Sequence, residues 1–494
     1  MKILHTLLLS LIVLPFWHPV FADELPIHLF PLEHYDQNID HFLSPESPTY
    51  SKPLPGFTPA YQKERLSDFQ AHIFSTHADA ASPWSPHFVT QILEKNPGIR
   101  ASLKDALATY SNRNKTEKEI GYGENFRAHH ADWITGIAEN IDFAAFAPPI
   151  RYQAHQRAIL VHNTSVRILP TKDPHFYSYA IPGQGYPFDN LQVSALWVGT
   201  PVYIVEQTKD KRWSFLLTSS FAGWVESEAL AYAGKAFITQ WEKRARAGLA
   251  AITHTQTPVL RAANKKFQFT AYVGSVFPLS SMGKEAFKIK IPVMDAEGNA
   301  RMQDALVEKQ HAAKMPLAAT PENFSMLIKT LQNRPYGWGG SYFYNDCSAE
   351  LQNLYTAFGI WLPRNSSVQR LAGKTVDLVT LPAEKRLAYL MENGHPLATL
   401  VYVGGHIFLY LGNYPNPYRA DHAPMAMTYQ AIWGLTPEDR SQRMVIGQSV
   451  LFPLLQKYPE DPRLNPLTNT KDFKVIYLDQ WPAPSKRKPT DLFF

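Results

Sequence analysis

Cysteine is almost absent: the 494 residues contain one, Cys347. A single thiol cannot close an intrachain disulfide, and it excludes a cysteine-rich zinc site. Basic clusters are missing as well. The net charge of +5 is spread along the chain, so no Lys/Arg patch marks a nucleic-acid surface. Such a mild basic bias suits weak attraction to an anionic polymer. Beyond the first residues no apolar stretch approaches the roughly 20 residues that span a bilayer. His129-His130 stands alone without ligand spacing around it and reads as a surface or helix-packing pair. Neither a metal nor a cofactor is expected.

Lys2, the apolar run Ile3 to Phe16 and the small-x-small site Val20-Phe21-Ala22 form a secretory signal peptide over residues 1–22,. The run is short for a membrane span and is interrupted by Pro15 and His18,. No Cys follows it, which excludes a bacterial lipoprotein. The expected product is exported, periplasmic or extracellular, with no integral membrane segment after cleavage. In such a compartment disulfides are the usual use of Cys. A lone thiol there is either an inert buried side chain or a reactive one.

The length points to several domains, at about 100–200 residues each. Residues 23–149 read as a helical segment after a proline-rich start, with Leu66, Phe69, Ile73 and Phe74 at helical spacing,. Short β-rich runs separated by turn residues predict a small barrel over 150–235. A helical linker over 236–262 and a second barrel over 263–316 follow. From 317 to 465 the pattern becomes α+β, and 466–494 reads as a tail. The chain holds 11 Trp, 24 Tyr and 28 Phe. Most of these rings are expected in cores, although exposed aromatics suit sugars and short peptides.

The chemistry concentrates in Arg334-Pro-Tyr-Gly-Trp-Gly-Gly-Ser-Tyr-Phe-Tyr-Asn-Asp-Cys347-Ser-Ala-Glu. Leu351, Leu354, Tyr355 and Phe358 recur at i, i+3, i+4 and i+7 and predict an amphipathic helix. Asn345 or Asp346 is its natural cap, so Cys347 falls in the first turn. Free amides and the positive helix end favour a thiolate there and can donate to an oxyanion. Val401-Tyr-Val-Gly-Gly-His406-Ile-Phe-Leu-Tyr-Leu-Gly412 reads as a hairpin whose second strand begins at His406,. His406 is then the candidate base.

These residues carry a resemblance. Tyr336-Gly-Trp-Gly-Gly, Asp346-Cys347-Ser348, Pro363-Arg-Asn-Ser366 and Gly405-His406-Ile-Phe-Leu-Tyr-Leu-Gly resemble the NlpC family of papain-like cell-wall peptidases. Gly185-Tyr-Pro-Phe-Asp189-Asn-Leu-Gln192, Gly199-Thr-Pro-Val and Gly223-Trp224-Val look like the first of two bacterial SH3-like domains found in one branch of that family. That branch also has an N-terminal helical segment. The resemblance implies a multidomain α+β chain: a helical segment, two SH3-like barrels and a C-terminal papain-like domain. It implies Cys347 as nucleophile, His406 as base and Tyr336 as a supplement to the oxyanion hole. Gln430 falls where the third residue of the triad belongs, often a His, with His422 and Asp421 as fallbacks. Trp338, Asp346, Ser348 and Ser366 match substrate-pocket positions, and Asn365 stands where an acid is common. Asp189 or Tyr186 is expected at the end of the pocket that takes a free L-alanine amine.

The implied reaction is hydrolysis of the γ-D-glutamyl–diaminopimelate (or lysine) bond of peptidoglycan stem peptides by a monomer, with short free stems preferred. Two alternatives remain at this stage. One is an inactive wall-binding scaffold, which predicts a broken nucleophile or base. The other is an amidase or acyltransferase using the same Cys–His pair.

Overall fold

The computed structural model describes residues 27–95, 98–417 and 422–480. The expected signal peptide 1–22 and the Pro- and Lys-rich stretch 482–488 lie outside the described residues. Among the described residues no helix is long and apolar enough to cross a membrane. Three seven-stranded sheets, with helices packed around them, make the fold multidomain α+β.

In the first barrel the strands run Gln192–Leu196, Thr164–Arg167, Ala222–Glu226, Trp213–Leu217, Pro201–Gln207, Arg157–Leu160 and Leu230–Tyr232 across the sheet. All its pairings are antiparallel, and Trp224 and Tyr203 are fully buried. The second barrel starts earlier than the sequence pattern implies. Leu249–Ile252 and Thr257–Arg261, placed in the expected linker, are strands of its sheet. Only Lys235–Ala247 is helical there. Leu249–Ile252 is buried along its whole length, and four consecutive apolar residues carry no period that separates helix from strand.

The third sheet runs Ile27–Leu29, Arg443–Leu454, Pro424–Leu435, His406–Pro415, Thr399–Val403, Lys474–Tyr477 and Lys374–Asp377. Two of its strands come from segments read otherwise. Lys474–Tyr477, expected in a tail, lies between Thr399–Val403 and Lys374–Asp377 and hydrogen-bonds to both. Ile27–Leu29, expected at the start of a helical segment, pairs in parallel with Arg443–Val445 at the sheet edge.

The N-terminal helices do not form a body of their own. Thr58 caps Pro59–Ile73 by accepting from the Tyr61 N–H. That helix docks on the peptidase-like region: Gln62 donates to the carbonyls of Leu317 (2.7 Å) and Phe358 (3.0 Å), and His72 stacks on Trp361 at 3.8 Å. Pro86–Lys95 and Ile99–Thr109 instead bury Phe88, Val89, Ile92 and Leu103 in one cluster with Tyr203, Phe215 and Trp224 of the first barrel. Each helix must cover its apolar side, and the barrel and the segment around Phe358 and Trp361 supply the facing surfaces,.

Candidate active site

The helix Cys347–Thr356 begins at the thiol. Asp346 is its N-cap and accepts from the Ala349 N–H at 2.9 Å. Leu351, Leu354, Tyr355 and Phe358 are all within 1% of complete burial, so the predicted stripe faces the core. One turn below the thiol, Glu350 is also buried. It accepts from Asn345 Nδ2 at 2.6 Å and from the Tyr429 hydroxyl, which ties the helix start to the neighbouring strand. Cys347 is 7% exposed. The main-chain N–H groups of Ser348 and Ile407 favour its ionised form, which sets the sulfur beside the residue that follows His406.

Gly404 and Gly405 form the two-residue turn before His406, and both have positive φ, 53° and 95°. Two successive residues in that region of a tight hairpin turn favour glycine. His406 Nε2 lies 2.8 Å from Gln430 Oε1. The orientation of that amide follows from its other contact. Gln430 Nε2 lies 2.9 Å from Thr428 Oγ1, and Thr428 Oγ1 lies 2.5 Å from the Phe452 carbonyl. A carbonyl only accepts, so the Thr428 proton is spent on Phe452. Its oxygen can then only accept from Gln430, which places the amide NH2 toward Thr428 and the amide oxygen toward His406. His406 therefore carries its proton on Nε2. Nδ1 is left as a lone pair without a partner among the described residues, which is the state a general base requires.

The charge state differs from the thiolate the helix position suggested. Burial pushes the Cys347 thiol up to about 12, outweighing the N–H groups of Ile407 and Ser348 and the Arg364 cation, while Asp346 raises it further. Burial likewise pushes His406 down to about 4, against the Gln430 hydrogen bond and Asp346. The resting pair is a neutral thiol and a neutral imidazole, because desolvation disfavours both charged forms. Burial, with Cys347 and Asp346 adding to it, holds the Tyr336 phenol well above its usual value. Its hydroxyl therefore stays a donor.

Cys347 opens into a cleft of ≈ 270 Å³. Tyr336, Trp338, Asp346, Ser348, Asn365 and Ser366 line it on the peptidase side, as does Gly405. Gln192, Val193, Ser220 and Phe221 of the first barrel line the opposite side. Asp346 is shared among several donors. Arg364 grips both its oxygens, at 3.0 and 2.6 Å, and the Gly339 N–H donates at 3.1 Å. Ser348 Oγ donates to Asp346 at 3.2 Å and accepts from Arg364 at 2.8 Å. Asn365 caps the short helix Ser366–Gln369. Ser366 Oγ donates to the Gly405 carbonyl at 3.0 Å, tying that turn down.

Barrel and peptidase region are joined at the cleft. Arg364 Nε donates to Ser194 Oγ at 2.8 Å, and Gln192 Nε2 donates to the Gly339 carbonyl at 3.0 Å. Phe188 sits edge-on to Trp338 (5.1 Å) and Trp433 (5.4 Å). Gly339 and Gly340 lie tight against the first barrel. A Cβ on either would fall 2.7 Å from the Gln192 carbonyl oxygen or 2.6 Å from the Ala195 nitrogen. Glycine is needed there for close approach.

Two expected pocket residues are elsewhere. Asp189 is buried inside the first barrel. One oxygen pairs with Arg167, and the other accepts from the N–H groups of His175 and Leu191, both at 3.0 Å. A carboxylate so committed fixes its own loop and has nothing left for an amine. Tyr186 is 60% exposed and lies outside the cleft. Of the fallback third residues, His422 is exposed and makes no contact with His406, and Asp421 lies outside the described residues. Sequence reasoning missed Arg364 and Thr428 as site residues. Arg364 stands inside the Pro363-Arg motif. Thr428 gave only one signal, its place two residues before Gln430 on the same strand face. Among the described residues no group of His, Cys, Asp and Glu could hold a metal ion.

Residues 174–226 match the SH3 domain family of the SH3b1 type. No curated protein matches the chain. Among solved structures, an NlpC/P60 endopeptidase from Photobacterium damselae subsp. piscicida is similar at 28% identity. The match has a TM-score of 0.76 and covers 92% of this chain and 99% of that one. An NlpC/P60 family protein from Bacillus cereus matches at 15% identity and TM-score 0.42, covering 63% of this chain and 98% of that one. That second likeness is too loose to carry an argument. The chain thus has the architecture of an NlpC/P60 endopeptidase with SH3-like domains, a cell-wall cysteine-peptidase fold.

Proposed function

We propose that this protein is an exported cysteine endopeptidase that hydrolyses the γ-D-glutamyl bond to diaminopimelate or lysine in peptidoglycan stem peptides. The observation that carries the reading is the single thiol at a helix start, opening into a cleft beside an imidazole whose free nitrogen is Nδ1. In the first half-reaction Cys347 gives its proton to His406 Nδ1 as its sulfur attacks the γ-carbonyl carbon. Main-chain N–H groups at the helix start and the Tyr336 hydroxyl face the developing oxyanion. The C–N bond then breaks as the proton passes from His406 to the leaving amine, giving a thioester. In the second half-reaction His406 takes a proton from water, whose oxygen attacks the thioester and releases the γ-carboxylate and the thiol. Ionisation occurs only as the thiol proton moves to His406, which suits the neutral resting pair.

Short stems with a free L-alanine amine are the proposed preferred substrates. The support is steric: Gln192, Val193, Ser220 and Phe221 wall the cleft opposite Ser348 and Asn365, which limits space for a glycan-linked stem. With Asp189 committed to Arg167 and Asp346 to Arg364, the acceptors remaining for an ammonium are the hydroxyl oxygens of Ser348 and Ser366. The test is product analysis on a free stem tetrapeptide, its N-acetylated form and intact sacculi at equal stem concentration. Release of a product beginning with the diamino acid, fastest from the free peptide, is expected. Cleavage at another bond sinks the bond assignment, and equal rates on all three sink the preference.

A further inference from the structure

Against the turn Trp338–Phe343, whose Trp338 lines the cleft and whose Tyr342 does not, lies a second cavity of ≈ 220 Å³ that the peptidase chemistry does not use. Three separate stretches of chain build it: the loop around Tyr122 and Phe126, the barrel loop from Phe176 to Tyr186, and Tyr342 of the peptidase region. The loops are stitched together before any ligand arrives. Tyr122 and Phe176 exchange both main-chain hydrogen bonds, at 2.7 and 2.9 Å. Phe126 meets Tyr179 edge-on at 5.5 Å, and Tyr186 lies 6.5 Å from Tyr342.

Four of these rings are open to water: Phe126 at 66%, Tyr342 at 63%, Tyr186 at 60% and Tyr179 at 47%. Leaving that much aromatic surface exposed in one patch disfavours the free protein and marks an interaction site. Phe126 and Tyr342 also sit at φ of 60° and 56°. Bulky side chains rarely adopt that region, and such residues cluster at ligand sites. The chain thus holds two rings outward in an unfavourable conformation.

The lining identifies the ligand class. It contains no cation, so an anion has nothing to pair with, and its one charge is Glu124 at the exposed rim. The cavity takes a six-membered ring with its substituents and is far larger than a methylammonium group. A wholly apolar ligand needs enclosure, whereas these rings leave one side of their guest in water. Phenol hydroxyls and a carboxylate around exposed ring faces match a pyranose, which has a C–H face to stack and hydroxyls to hydrogen-bond. We propose that this aromatic cup is a carbohydrate-binding subsite that holds one pyranose unit independently of the catalytic cleft.

The test uses the full chain carrying Cys347→Ala and titrates it with the trisaccharide of N-acetylglucosamine, followed by tyrosine fluorescence and ligand-observed NMR. Saturable binding is expected, weakened about ten-fold by Phe126→Ala with Tyr179→Ala, which removes two of the four exposed rings. The same pair of changes in the active enzyme should leave kcat/KM on a free stem tetrapeptide unchanged, because neither ring lines the cleft. Absence of saturable binding overturns the proposal, as does binding that the double variant retains. A parallel loss of tetrapeptide hydrolysis would assign the rings a structural role and overturn it too. An aromatic dipeptide amide that binds where the trisaccharide does not would show that the cup takes peptide instead.

Discussion

Replacing Thr428 by valine tests whether the active tautomer of His406 is set from two side chains away. Valine keeps the shape and the β-branch but removes the hydroxyl that accepts from Gln430 at 2.9 Å and donates to the Phe452 carbonyl at 2.5 Å. Thr428 and Gln430 are both essentially inaccessible, so no water replaces the lost partner and the Gln430 NH2 is left unsatisfied. An unmet buried donor costs about 1–3 kcal/mol. Rotating the amide turns its NH2 toward His406 and recovers part of that. The rotated amide then donates to Nε2, which moves the imidazole proton to Nδ1 and leaves no lone pair for the thiol proton. At about 1.4 kcal/mol per tenfold, a bias of roughly 1–2 kcal/mol toward that inactive form lowers kcat about 5- to 30-fold. KM should stay within about two-fold, because Thr428 does not line the cleft. Thr428→Ser retains the hydroxyl and should restore most of the rate. The assay is steady-state hydrolysis of a stem tetrapeptide, with thermal melts to confirm folding. If Thr428→Val keeps full kcat while Gln430→Ala does not, or if serine is as poor as valine, the tautomer argument is wrong.

Cys347→Ala and Cys347→Ser should abolish hydrolysis while the melting temperature stays within a few degrees, read by chromatography of the peptide products and by calorimetry. His406→Ala should cost at least about 10²-fold in kcat, the lower range for a lost general base. In the wild-type enzyme the acid limb of kcat/KM should follow His406, which burial lowers to about 4. Protonation blocks the base only as pH falls toward that value, so activity should persist from pH 7 to about 5; a limb at 6.5 would contradict the burial argument. The wholly buried His175 is also pushed down to about 4 by burial. Its unfolded form binds a proton below about 6.5, so the melting temperature should fall as pH drops from 6.5 to 4, and a flat profile would count against it. Arg364→Ala strands the Asp346 carboxylate in the cleft wall and should destabilise by about 3–5 kcal/mol in denaturant titrations; a change under 1 kcal/mol would mean that water reaches the carboxylate.

The sequence by itself determined the parts whose signals are local. A cap, an apolar stripe and a lone thiol placed Cys347 at the start of a buried helix. A Gly-Gly dipeptide between two apolar runs placed His406 at the start of a strand, because glycine meets the positive φ values of a two-residue hairpin turn at least cost. Tertiary structure decided everything that depends on which surface meets which. Ile27–Leu29 pairs with a strand more than 400 residues away, and Leu249–Ile252 and Lys474–Tyr477 are four-residue runs too brief to show a period. Alternation reports that a residue is buried, not what it is buried against. For the same reason Asp189 read as a pocket carboxylate until Arg167 was seen to neutralise it, and nothing local showed that a barrel strand lies against Gly339-Gly340. The neutral Cys347–His406 pair is likewise a property of the assembled site. The helix end favours a thiolate, but desolvation scales with all the protein packed around the sulfur, and only the folded chain brings that protein there.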